Sequence, residues 1–218
     1  MSCAFSADHY RELLRAAAAG GYRWAGFDEA PRAGDLILRH DVDLSLEAAV
    51  ALAEVEAEEE AWSTWFLMTR SVFYNLASAE GERTIERLRA LGHRVAHHAV
   101  WPHVDLDSPF WAERFDPVVA WHNPDPEYMQ AEIAGAVNVM RAPFFDGERY
   151  RSDSNQHWRH GCPHEELAAG AFDWLQLLTH PEIWVYEGGT MGATMRTFLD
   201  ADRDARLEHI RADRIELE

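Results

Sequence analysis

Asp41 and Asp43 stand one residue apart, directly after the apolar run Leu36-Ile37-Leu38. If the run is a strand, alternation sends both carboxylates to the same side, about 7 Å apart along the chain. Carboxylates so placed repel each other unless a cation or a shared proton intervenes. The chain has 12 histidines, and several follow apolar runs: His97, His98 and His103, then His122, then His180. A neutral imidazole binds divalent cations, and mixed His/Asp ligation suits Zn, Fe, Co, Ni or Mn. Two solvated loop aspartates are the plain alternative, and a single histidine is more often a surface or core residue than a ligand. Repeated placement at strand exits is what favours chemistry, because α/β folds build their sites there.

The elements that would position these groups follow from periodicity. Tyr10, Leu13, Leu14, Ala17 and Ala18 recur at helical spacing, with Ser6 or Asp8 as cap and Gly20-Gly21 as the stop. The run 36–38, after the turn-like stretch 31–35, reads as a strand buried on both faces. Residues 46–60 read as a helix capped by Ser45, its Glu56, Glu58, Glu59 and Glu60 forming a solvated end. A strand is expected over 61–68, a helix over 79–91 and a strand over 93–100, giving α-β-α-β-α-β. That order implies parallel strands joined by right-handed crossovers. Beyond it, a short helix is expected near 110–115 and strands over 117–122, 136–140 and 150–154. A helix over 165–172, a strand over 174–181 and a last polar helix over 195–211 complete the reading. No repeat or Pro/Gly/Ser linker divides the chain, so a single domain over residues 1–218 is expected.

Bulk properties narrow the functions. A net charge of -18 with no basic stripe argues against nucleic acid and against an anionic membrane surface. All 20 basic residues are arginine, which rules out a Schiff-base lysine and a P-loop lysine. Cys3 and Cys162 are too few for a disulfide framework. No basic-then-apolar leader is visible and no stretch has membrane-spanning length, so a cytoplasmic protein is expected. The oligomeric state is not legible.

Several stretches together resemble one family. Arg39-His40-Asp41-Val42-Asp43, Leu91-Gly92-His93-Arg94-Val95-Ala96-His97-His98 and Leu177-Leu178-Thr179-His180-Pro181 are similar to motifs of the polysaccharide deacetylase (NodB-homology) superfamily, in its RHDVD-type branch. Trp121-His122-Asn123-Pro124, Tyr150-Arg151-Ser152-Asp153-Ser154 and Trp158 resemble that branch's later motifs, so the likeness runs from about Tyr10 to Trp184. It implies an irregular (β/α) barrel of about seven parallel strands. The stretch 99–119 is short for a full crossover, which leaves room for one missing barrel helix.

By resemblance Asp41 is the general base, Asp43 and His98 are metal ligands and His180 is the catalytic acid. The family's second histidine falls on Pro102, so either His103 or His122 would complete the metal site. Arg141 of Arg141-Ala142-Pro143-Phe144 matches an arginine that orients the base. Arg39, Arg141, Asp153 and Trp158 are expected on the substrate side, with Trp101, Trp121 and Trp158 as candidates to stack on a sugar or to pack in the core. The implied activity is metal-dependent hydrolysis of an amide C–N bond, with a divalent ion, foremost zinc, as cofactor. An N-acetylated sugar or sugar-like small molecule is the implied substrate.

Three other readings compete. The irregular second histidine fits an inactive, ligand-binding relative. His103-Val104-Asp105 with His164 or His180 has the ligand types of a non-haem Fe(II) oxygenase, although that class sits on a jelly roll. His160-Gly161-Cys162-Pro163-His164 reads as a loop with incidental histidines or as a small zinc clip.

Overall fold

The computed structural model describes residues 3–213. In chain order the elements are α1 (Ala7–Ala19), β1 (Arg23–Ala25), β2 (Asp35–Val42), α2 (Leu46–Glu58), β3 (Thr64–Leu67), α3 (Ala79–Ala90) and β4 (Arg94–Ala99). There follow α4 (Pro109–Ala112), β5 (Val118–Trp121), α5 (Pro126–Met129), β6 (Val137–Asn138) and β7 (Tyr150–Ser152). Last come α6 (His164–Ala168), β8 (Trp174–Thr179), α7 (Pro181–Val185) and α8 (Met191–Ala212). Serine side chains cap the three long early helices: Ser6 accepts from His9 N, Ser45 from Ala48 N and Ser78 from Gly81 N.

All strands are parallel, in the order β6-β5-β4-β3-β2-β8-β7, with β1 added beside the start of β2. The sheet curls into a half-barrel flanked by helices, consistent with the irregular (β/α) barrel that the resemblance implies. Every residue of β2 is buried, as a central parallel strand requires. Alternation then sorts its side chains. Leu36, Leu38 and Val42 join Trp65, Leu67, Val95, Leu175 and Leu177 in the core under the helices. Ile37 joins Phe66, Ala96, Val118, Ala120, Val139 and Phe144 in a second cluster. Arg39, Asp41 and Asp43 continue the register of Ile37, so this second, concave face is the one that carries the chemistry.

Between β4 and β7 the crossovers hold only single turns, which is where the missing helix falls. The expected helix 110–115 shrinks to α4, strand 136–140 to the two residues of β6 and helix 165–172 to α6, while α8 starts earlier than expected, at Met191. β1 and α5 were not anticipated, since three and four residues give no readable period. The end of α1 packs so closely on α6 that a Cβ at Gly20 would stand 2.0 Å from the Leu167 carbonyl oxygen. The Glu56–Glu60 run is not uniformly solvated. Glu56 has no exposure, and it accepts hydrogen bonds from Tyr10, His40 and Ser63.

Candidate metal centre

Three strand ends converge on one point. Asp43 follows β2, His98 lies near the end of β4 and His122 follows β5. Asp43 Oδ1 lies 3.1 Å from His98 Nε2 and 3.1 Å from His122 Nδ1, and the two nitrogens are 3.2 Å apart. His98 Nδ1 donates to the Ala120 carbonyl at 3.1 Å, which turns Nε2 toward Asp43, where the neutral ring offers a lone pair to a cation. A carboxylate oxygen at that distance from Nε2 calls for positive charge opposite it, which a proton on Nε2 or a cation between the two atoms supplies. The triangle also has the right size. Ligand atoms at about 2.0–2.1 Å from a cation are spaced roughly 2.9 Å in an octahedral and 3.3 Å in a tetrahedral shell. Burial pushes the Asp43 carboxyl up, but hydrogen bonding with His122 and His98 and the charge of His98 overcome this and hold it well below the usual carboxylate range. The same Asp43 contact raises His122.

Asp41 stands beside this group, its Oδ2 3.9 Å from His98 Nε2. Arg39, two residues earlier on the same face, donates to Asp41 Oδ2 at 2.8 Å. Arg39 in turn donates to Gln176 Oε1 at 3.1 Å, and Gln176 donates to the Phe144 carbonyl at 2.6 Å. Asp41 Oδ1 is buried and has no partner among the described residues. One carboxylate oxygen is thus held by Arg39 and the other is unpaired.

His180, after β8, forms a second unit. Its Nδ1 lies 2.6 Å from Asp153 Oδ1, and its backbone N–H donates to Asp153 Oδ2 at 3.0 Å. Trp184 also donates to that oxygen, at 2.7 Å. Burial alone would lower the imidazole, but the Asp153 charge and hydrogen bond outweigh it and raise His180 to about 10. Its charge is felt at both Asp43 and His122. Nearby Glu182 is pushed up to about 8 by burial. It was not anticipated, although its place two residues after His180 was a usable signal.

Of the two candidates for the third ligand, His122 lies with Asp43 and His98. His103 does not. It is exposed in a tight turn, where its backbone N–H donates to the Val100 carbonyl. The substrate-side expectations change more. Arg39 and Asp153 have no exposure, and their side chains face Asp41 and His180 instead of solvent. Arg141 makes no side-chain hydrogen bond among the described residues, and the place expected for it beside Asp41 is taken by Arg39. Trp158 is buried, with its indole N–H on Cys3 Sγ, and Trp121 is buried too. Only Trp101 is exposed, stacked on Tyr128 with ring centroids 4.2 Å apart. His97, neighbour of His98, faces the other way, against Phe115, and burial pulls it down to about 4. The oxygenase arrangement does not form. The sheet is parallel, not a jelly roll, and Asp105 is bound to Arg70 and Thr69.

Compared with family models, with curated proteins and with solved structures, the chain finds no match. No helix among the described residues is long and apolar enough to cross a membrane.

Proposed function

We propose that this chain is a metal-dependent hydrolase of an amide C–N bond. Within that class it acts as a deacetylase of an N-acetylated sugar or sugar-like small molecule, the substrate class its RHDVD, His97-His98 and Thr179-His180-Pro181 motifs suggest by resemblance. The observation that carries the reading is the Asp43–His98–His122 triangle set beside an Asp41 whose second oxygen is free.

A divalent cation bound by these three residues supplies a Lewis acid for the amide carbonyl and for an attacking water. The rest is the work of the chain. Arg39 locks Asp41 Oδ2, so Oδ1 takes the proton of the attacking water. His180 is held by Asp153 and carries its proton through neutral pH, so it donates to the nitrogen that leaves. Asp41 and His180 are the catalytic residues here; Arg39, Gln176 and Asp153 position them. Trp101 offers the exposed aromatic face for a sugar ring.

The direct test incubates the zinc-loaded full chain with a panel of N-acetylated monosaccharides and measures acetate. Acetate release that a chelator abolishes is the expected result. Metal at the Asp43–His98–His122 centre, counted as the equivalent that Asp43→Ala loses, with no acetate from any member would overturn the substrate class, and metal uptake that Asp43→Ala leaves unchanged would overturn the hydrolase.

The pH profile gives a second check. His180 is raised from 6.5 to about 10, so its charge persists through neutrality and is lost as pH rises through the higher value. Activity therefore falls on the alkaline side. Asp153→Asn removes the charge that raises His180, and the alkaline limb should move at least about one pH unit lower. An unmoved limb would deny His180 the role of acid.

A further inference from the structure

A second cluster of ligating atoms lies outside the site above. Cys3 Sγ, His9 Nε2 and Cys162 Sγ all lie within 4.8 Å of one another, although they come from the stretch before α1, the first turn of α1 and the loop before α6. The geometry points to a divalent, thiophilic cation site, of the zinc class, made by Cys3, His9 and Cys162.

Four observations support it. His9 Nε2 lies 3.2 Å from Cys162 Sγ. His9 Nδ1 lies 2.7 Å from Glu12 Oε2, and this carboxylate contact keeps the ring proton on Nδ1 and the lone pair of Nε2 toward the sulfurs. Trp158 donates its indole N–H to Cys3 Sγ at 3.1 Å, a contact that favours the thiolate against the burial and the neighbouring Cys162 that push this thiol up to about 12. A cavity of about 510 Å³ opens on the cluster and is lined also by His164 and Glu165, which leaves a fourth position for water or His164. Tetrahedral zinc with about 2.3 Å bonds to sulfur and 2.0–2.1 Å to nitrogen spaces its ligands by roughly 3.5–3.8 Å, so small side-chain shifts suffice. Two sulfurs select zinc-like ions over magnesium or calcium, and each thiol releases its proton to solvent on binding.

The cation would brace the wall behind His180. Phe5 and Trp158 pack on Trp184, whose indole N–H holds Asp153. Binding here is independent of the proposed hydrolase.

Cobalt distinguishes the two sites, because only this one offers sulfur. The full chain carrying Asp43→Ala, kept reduced, is titrated with Co2+ alone. The expected result is a near-ultraviolet sulfur-to-cobalt charge-transfer band that saturates at one equivalent and is displaced by Zn2+. Cys162→Ser added to that chain abolishes the band, and His9→Gln weakens cobalt binding by at least about tenfold. Should Cys162→Ser fail to fold, the His9→Gln titration still decides. Three results would overturn the site: no band with both thiols shown to be free, cobalt binding indifferent to His9→Gln, or a Cys3–Cys162 disulfide that forms despite bound Zn2+.

Discussion

Asp43→Ala should purify without metal at its strand-end centre and without turnover, whereas Asp41→Asn keeps that metal and loses turnover alone. The two residues are one position apart, yet their surroundings separate them. Asp43 Oδ1 is the atom common to both imidazole contacts, so its removal dissolves the triangle. Loss of groups that merely support metal ligands costs about 10–100-fold in affinity, and loss of a ligand costs more. Asp41 has no part in the triangle. Its Oδ2 is bound by Arg39, and asparagine keeps the size of the group while removing the basic oxygen. Rate losses of about 10²–10⁴ follow from deleting a general base. Elemental analysis and acetate release on the two proteins read the difference. Equal metal and equal activity in both would deny the assignment.

The largest loss of stability is expected at Glu56→Ala, on the opposite face of the sheet. Glu56 Oε1 lies 2.6 Å from His40 Nε2, and the carboxylate also accepts from Tyr10 and Ser63 with no exposure to solvent. His40 is itself stacked on Trp65, ring centroids 3.9 Å apart, with Thr179 Oγ1 2.7 Å from its other nitrogen. Removing the carboxylate strands three buried polar groups at once. Breaking a buried charge pair from one side costs about 3–5 kcal/mol. For a chain of this size each kcal/mol shifts the melting temperature by about 2–4 °C. Glu56→Gln keeps the shape and should lose about 1–3 kcal/mol. Burial pushes Glu56 up, but the His40 charge and hydrogen bond, with smaller help from His93 and Ser63, bring it below its ordinary value of 4.5. Its contribution is therefore present above pH 4.5 and fades as the pH falls through its lower folded value. Thermal melts followed by circular dichroism measure both variants; an unchanged midpoint for Glu56→Ala would mean the network carries no net stability.

The strongly periodic half of the chain was legible. Apolar period predicts α1, α2, α3 and the strands β2 and β3, with a serine cap legible at Ser45 and offered at Ser6, because local pattern and tertiary burial agree there. The site was legible in part for the same reason: Asp43, His98 and His122 each end an apolar run, and parallel strands bring such ends together. What escaped depended on contacts between distant segments. Choosing His122 over His103 required the path of the turn after β4, which no period encodes. Two misreadings were avoidable. Arg39 shares the two-residue register of Asp41, and Glu56 stands four residues after Leu52 on the buried face of α2, so alternation and helical spacing already placed both inward. The Cys3–His9–Cys162 cluster joins residues 153 positions apart, which no local signal reveals.

A sheet that curls without closing keeps two rims, and bare rims invite other chains to add strands. Here the outermost members are β6 and β7, two and three residues long. Ladders that short give a passing strand almost nothing to template on. The half-barrel can therefore stay open on its helix-poor side without becoming a seed for fibrous association.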